Sequence, residues 1–192
     1  MAMLDEKHLD YESKQISFSD KGHKSEEILA INPRGQVPTF KDGNSVVNES
    51  LAALMYLEKR YPEHSLMPDR IAPKITQRLF EMGTMAGAII GFMQARGDEK
   101  AMESKTEAFR KEMNYWEQYL SASKYIAGDE FSLADIALIP QCLFFERQGA
   151  SFSDYPKLKA YLAENKERPS IQKNWPPHWK GTSGQDNLKG II

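Results

Sequence analysis

The stretch that decides the fold reads Asn32-Pro33-Arg34-Gly35-Gln36-Val37-Pro38-Thr39-Phe40. Its first four residues are turn formers, and they end a helix that we predict over residues 25–31. Gln36 to Phe40 then favours an extended chain, and Asp42-Gly43 supplies a tight turn before Ser45-Val46-Val47. The stretch therefore predicts a helix followed by a hairpin of two adjacent β-strands.

Short secondary-structure signals alternate on both sides of this stretch. Residues 11–18 alternate polar and apolar side chains, which predicts a further strand, and a turn follows at residues 20–22. Ser50 is predicted to cap a helix that continues through Leu57 and stops before Pro62. We expect residues 1–62 to form one small α/β domain.

The second half of the chain is different, because it shows helical periodicity only. Apolar side chains recur at helical spacing over residues 75–93 and again over residues 102–120, which predicts two long, packed helices. Ser132 and Asp135 have the spacing of a capping box at a further helix start. We therefore expect an all-helical domain over residues 73–192, which ends in a mobile polar tail.

The composition of the 192-residue chain excludes several classes of protein. Hydrophobic residues make up 41% and charged residues 27%, which is typical of a folded globular protein. The formal net charge of -2 gives no overall positive field that would attract nucleic acid or an acidic membrane surface. No segment is apolar enough to cross a membrane or to act as a signal peptide, so we expect a cytoplasmic protein.

Metal and cysteine chemistry are not indicated by the sequence. The four histidines are scattered, and no His or Cys spacing typical of a zinc site is present. The only cysteine, Cys142, lies in the apolar run of residues 138–144, which favours burial over reactivity. We therefore expect no metal site.

Three short motifs together have the features expected of a site that binds a small ligand. Val37-Pro38 places a proline where a cis bond would turn the Val37 backbone outward, towards an extended peptide. Glu49-Ser50 stands at a helix start, where free amides attract a carboxylate, and His23-Lys24 adds positive charge. Taken singly, each motif has an ordinary alternative: a helix cap for Ser50, solvated charge for His23-Lys24 and a turn residue for Pro38.

The same motifs carry a resemblance to a known family. Residues 22–25, 32–40 and 42–43, together with Glu49-Ser50, look like the glutathione site of soluble glutathione transferases. Among their classes, the chain is similar to the rho class of aquatic animals and also to the plant phi class. The resemblance continues through a helix-capping motif at residues 127–135 and covers nearly the whole chain.

This resemblance implies a thioredoxin-like first domain, an all-helical second domain and a homodimer that conjugates glutathione to apolar electrophiles in detoxification. Glu49 and Ser50 would hold the γ-glutamyl end of glutathione. The Val37 backbone would pair with the cysteinyl part, ahead of a cis Pro38. The glycyl carboxylate would face His23-Lys24 and Gln36.

The resemblance also implies that the electrophile lies against the second domain. We predict contacts from flexible apolar side chains, because such groups adapt to varied shapes: Met82, Met85, Ile89 and Met93. Helix core or dimer interface is the alternative role of these four residues.

One part of the family pattern has no counterpart in this chain. Family members begin with a strand and a loop that carries the catalytic tyrosine, serine or cysteine, whereas this chain begins within the first helix. The resemblance therefore places the catalytic residue upstream of Met1, and we expect a first domain that is loosened by the lack of that strand. The alternative function is a non-catalytic module of the same family, used for ligand binding or dimerisation.

Overall fold

The computed structural model describes residues 1–192 and divides into two compact units. One unit comprises residues 3–65, and the other comprises residues 66–192 together with residues 1 and 2. The first unit holds the only sheet, and the second is built from helices. None of the helices combines the length and apolar character needed to span a membrane.

The smaller unit contains short elements around one β-hairpin, and these confirm the helix and hairpin predicted from the central stretch. In chain order they are α1 (Ala2–Glu6), a 3-10 turn (Gly22–Lys24), α2 (Glu26–Ile31), β1 (Thr39–Asp42), β2 (Ser45–Asn48) and α3 (Ser50–Arg60). The two strands are antiparallel, with Thr39 opposite Asn48. The Ser25 side chain caps α2 by accepting a hydrogen bond from the Ile28 amide.

Two local predictions in this unit are wrong. Residues 11–18 form no strand, because no neighbouring strand offers them hydrogen bonds and only Tyr11 and Ile16 are partly buried. Ser50 is the first residue of α3 rather than its cap, and the capping position belongs to Glu49, whose side chain makes no capping hydrogen bond.

Buried polar contacts hold the start and the end of this unit together. The Lys7 side chain is fully enclosed, where its ammonium pairs with Glu58 at 2.9 Å and donates to the Tyr61 carbonyl at 2.7 Å. The Tyr61 hydroxyl donates to the Asp42 carboxylate at 2.7 Å and so ties α3 to the hairpin. Hydrogen bonds from Tyr61 and Tyr56 hold the pKa of Asp42 below its ordinary value.

The larger unit is helical, as predicted. Its elements are α4 (Ala72–Gln94), α5 (Glu99–Ala122), α6 (Leu133–Arg147), α7 (Pro156–Lys166), α8 (Pro169–Lys173) and a 3-10 turn (Pro177–Trp179). Aromatic rings fill the core, where Phe109 meets Phe145 edge to face at 5.5 Å between ring centroids. The Trp116 ring is also fully buried on α5.

The polar tail, which the sequence predicts to be mobile, instead packs against the helices. Leu188 and Ile192 are buried. The Leu188 amide donates to the Gln148 carbonyl at 2.7 Å, and the Arg110 guanidinium donates to the Ile191 carbonyl at 2.8 Å. The last residues of the tail are therefore packed against the helical unit by two apolar side chains and an arginine on α5.

The start of α6 is organised by the buried carboxylate of Asp135, which confirms the predicted capping box. Asp135 accepts hydrogen bonds from the Ser132 amide and hydroxyl, both at 2.8 Å. It also accepts from the Ile126 amide at 3.2 Å and from the Tyr161 hydroxyl on α7 at 2.8 Å. Burial raises the pKa of Asp135, and these hydrogen bonds act against that rise.

We expect Asp135→Ala to lower the free energy of unfolding of the helical unit by at least ~3 kcal/mol. Several buried donors would lose their acceptor together, and each such loss costs about 1 to 3 kcal/mol. Denaturant unfolding, followed by far-UV circular dichroism, measures the change. Asp154→Ala, at an exposed carboxylate, is the control and should change stability by less than ~0.5 kcal/mol. Equal stability of the two variants would contradict the prediction.

Candidate functional site

The smaller unit contains an open cavity of about 450 Å³. Six of the seven residues predicted to bind glutathione line it: His23, Lys24, Gln36, Val37, Pro38 and Glu49. The seventh, Ser50, is adjacent in sequence and exposed. The cavity is also lined by Phe18, which has no predicted function, and by Asn32 and Gly35, which lie in the stretch that resembles the glutathione site but have no predicted binding role of their own.

One side of the cavity is cationic. His23 and Lys24 belong to the 3-10 turn before α2. The Lys24 ammonium donates to the Arg34 carbonyl at 2.8 Å, which leaves its other N–H groups open. The Phe18 ring lies 4.8 Å from the His23 ring, centroid to centroid. The cavity thus combines the Lys24 ammonium with a largely exposed aromatic ring.

The loop that crosses the cavity is shaped by Asn32, whose side chain is buried. Its amide group donates to the Gln36 carbonyl at 2.8 Å and to the Thr39 hydroxyl at 3.1 Å. Its side-chain oxygen accepts from the Arg34 amide at 3.2 Å. One buried side chain therefore satisfies polar groups of Arg34, Gln36 and Thr39 and holds the turn that precedes Val37.

Val37 presents an open backbone edge to the cavity. The Val37–Pro38 bond is cis, which confirms the expectation from the family resemblance. Neither the amide nor the carbonyl of Val37 forms a backbone hydrogen bond within the protein. Such an edge can pair with the backbone of an extended peptide, as an added strand does.

The start of α3 supplies the anionic and dipolar side. Glu49 has φ 74° and ψ 129°, an uncommon conformation for a residue other than glycine. The Ala53 amide bonds to the Glu49 carbonyl, so the three preceding amides of the first turn remain open. These amides and the positive end of the helix can bind a carboxylate, while the Glu49 carboxylate can bind an ammonium.

The residues that sequence reasoning missed act through tertiary contacts. Phe18 falls in the stretch that was assigned to a strand, although it is exposed beside His23. Asn32 and Gly35 lie in the stretch that resembles the glutathione site, where they are predicted only as turn residues. Their places in the cavity depend on how the turn folds back on the Lys24 segment.

The four candidate electrophile contacts all lie on α4. Met82 and Met85 are completely buried in the helical core, so the alternative role, core packing, applies to these two in this structure. Ile89 and Met93 are half-buried and keep some accessible surface.

Cysteine and metal chemistry find no support in the structure. Cys142 is fully buried on α6, as predicted, and burial raises the pKa of its thiol well above the ordinary value. No three His, Cys, Asp or Glu side chains come together in a way that could hold a metal ion.

Comparisons with known proteins agree with this architecture. Family models described as the glutathione S-transferase N-terminal and C-terminal domains match residues 1–65 and 76–169. Glutathione S-transferase A of Pleuronectes platessa is 39% identical over 206 aligned positions, which cover 100% of this chain and 92% of the relative. The thioredoxin-like first domain and the helical second domain predicted from the sequence are therefore confirmed.

Solved structures extend the comparison. A glutathione S-transferase from the Antarctic clam Laternula elliptica has a TM-score of 0.94 at 40% identity, covering 100% of this chain and 92% of its own. A Sulfitobacter glutathione transferase homologue with bound glutathione has a TM-score of 0.76 at 23% identity, covering 90% and 88%, and so supports the fold. The chain belongs to the glutathione S-transferase family.

We expect Asn32→Asp to loosen the loop that crosses the cavity. The substitution keeps the acceptor for the Arg34 amide but turns a carboxylate oxygen towards the Gln36 carbonyl, with a cost of about 1 to 3 kcal/mol. Faster hydrogen exchange at residues 34–37 and a lower Tm are the measured results. Asn44→Asp, at the exposed hairpin turn, should leave both quantities unchanged. A variant at position 32 with wild-type exchange would show that the side chain does not hold the loop.

Proposed function

We propose that the chain binds glutathione in the cavity of the smaller unit. The observation that carries the proposal is the free backbone edge of Val37, which lines one cavity together with His23, Lys24 and Glu49. Glutathione matches this set of groups, because it is an extended peptide with an anionic glycyl end and a zwitterionic γ-glutamyl end.

Each part of glutathione then has a chemically suitable partner. The glycyl carboxylate binds Lys24, with His23 and Gln36 beside it. The cysteinyl backbone pairs with the amide and carbonyl of Val37. The γ-glutamyl carboxylate binds the Ser50 hydroxyl and the open amides of α3, and its ammonium pairs with Glu49.

For the reaction, we propose conjugation of the glutathione thiolate to apolar electrophiles, with detoxification as the role. A thiol of pKa ~8.5 is only a few per cent thiolate at neutral pH, and lowering its pKa by two units needs ~2.7 kcal/mol of preferential stabilisation. The dipole of α3 supplies part of this stabilisation. No Tyr, Ser or Cys side chain lines the cavity, so glutathione binding is the part of the function that these residues support most directly.

The lack of a Tyr, Ser or Cys side chain in the cavity lining also favours a second function. This second function is that of a non-catalytic module that binds glutathione or dimerises. A homodimer is compatible with both functions. On α4, Phe80 is 80% exposed and Ile90 is 54% exposed, and we propose that a second copy covers these apolar side chains. The cytoplasmic location stays a prediction.

Calorimetric titration of the purified chain with glutathione tests the binding. We expect saturable binding of one glutathione per chain, weakened ~10- to 100-fold by Glu49→Ala, because a charge-assisted hydrogen bond is worth about 1.5 to 3 kcal/mol. Glu12→Ala, at an exposed glutamate outside the cavity, is the matched control and should bind as the wild type does. Equal affinities of the two variants would mean that Glu49 does not hold the ligand.

Turnover separates the two functions. Conjugation of glutathione to an apolar aryl halide, measured at saturating glutathione and corrected for the uncatalysed rate, supports the transferase. Saturable binding without turnover supports the non-catalytic module.

A further inference from the structure

Gly35 occupies a position where a side chain would collide with Lys24. Its backbone has φ +55°, and the residue is buried in the turn that crosses the cavity. A Cβ atom at this position would lie 2.7 Å from Lys24 Cδ and 2.9 Å from Lys24 Nζ. It would also lie 3.0 Å from the His23 carbonyl oxygen. The two lysine distances are too short for any real contact, so the lysine side chain would have to move, whereas the contact with the backbone oxygen is tight.

The Lys24 side chain is held in place by the same turn. Its ammonium donates to the carbonyl of Arg34, the residue before Gly35, at 2.8 Å. The Gly35 amide in turn donates to the Asn32 carbonyl at 2.8 Å, and this hydrogen bond closes the turn. Gly35 leaves space for the Lys24 side chain, and the Arg34 carbonyl accepts a hydrogen bond from its ammonium. Together they order a side chain that would otherwise be flexible.

Ordering a lysine side chain before the ligand arrives increases affinity, because a long, unbranched side chain loses much rotamer freedom when it binds. In this position one N–H of the Lys24 ammonium donates to the Arg34 carbonyl, and the other N–H groups remain open. Lys24 and Gly35 both line the cavity.

We propose that Gly35 is a positioning residue that sets how strongly the site selects a ligand with a free glycyl carboxylate, by letting Lys24 rest against the turn. The inference builds on the proposed glutathione binding. It assigns to position 35 a role in ligand specificity, in addition to the backbone conformation that glycine allows there.

The test compares two ligands, glutathione and its glycyl monoethyl ester, which lacks the terminal charge. We expect the wild-type chain to prefer glutathione by ~10-fold or more. Gly35→Ala should reduce this preference to about twofold or less, as Lys24→Ala does. The double variant should show no further loss, because both substitutions remove the same contact.

A backbone effect is separated from the proposed role by a matched control. Gly43 has φ +56°, and a Cβ there would meet nothing within 4 Å. Gly43→Ala therefore introduces the same backbone strain without touching the lysine, and should keep the full preference. Gly35→Asn is a second variant at the site, because asparagine tolerates the left-handed region while still carrying a Cβ.

The outcomes distinguish this inference from the function on which it depends. A wild-type chain that binds neither ligand overturns the proposed glutathione site and this inference with it. Wild-type binding with an unchanged preference in Gly35→Ala or Gly35→Asn overturns the inference alone, even when both ligands bind the variant more weakly.

Discussion

The buried carboxylate of Asp135 is the interaction that organises the helical unit around the start of α6. It accepts hydrogen bonds from Ser132, Ile126 and Tyr161, and so joins the start of α6 to the preceding loop and to α7. A carboxylate in the core is costly to bury, and burial accordingly raises its pKa. The cost is offset because every nearby donor is satisfied by the same group, which leaves one favoured arrangement of these segments.

The candidate site applies the same principle on a smaller scale. Asn32 is a buried amide that satisfies the turn around Gln36 and Arg34. The backbone of Val37, which follows this turn, and the first amides of α3 form no backbone hydrogen bonds within the protein. Those open groups, with the cationic turn that contains Lys24, are the features that fit a small zwitterionic peptide. The site is thus formed by polar groups whose hydrogen-bonding capacity is not used within the protein.

Local signals predicted the local features. The hairpin after Pro38 and the Ser132–Asp135 box follow from short-range turn and capping chemistry, and both are present. The predicted strand at residues 11–18 does not form, because a strand needs a partner strand that no local sequence pattern can supply.

The packing of the C-terminal tail could not be predicted locally, because the burial of Leu188 and Ile192 is decided by side chains that are distant in sequence. The motifs located most of the site, including the turn that contains Gly35, whereas the place of Phe18 beside His23 depends on tertiary contacts that residue spacing does not encode.

Glutathione binding in the smaller unit is tested most directly by a map of the amide chemical shifts of the 192-residue chain during titration with glutathione. We expect the amides of Lys24, Val37 and Ser50 to shift along one common saturation curve, because they surround one ligand. Shifts that do not saturate, or that are confined to residues 66–192, would contradict a glutathione site in the smaller unit.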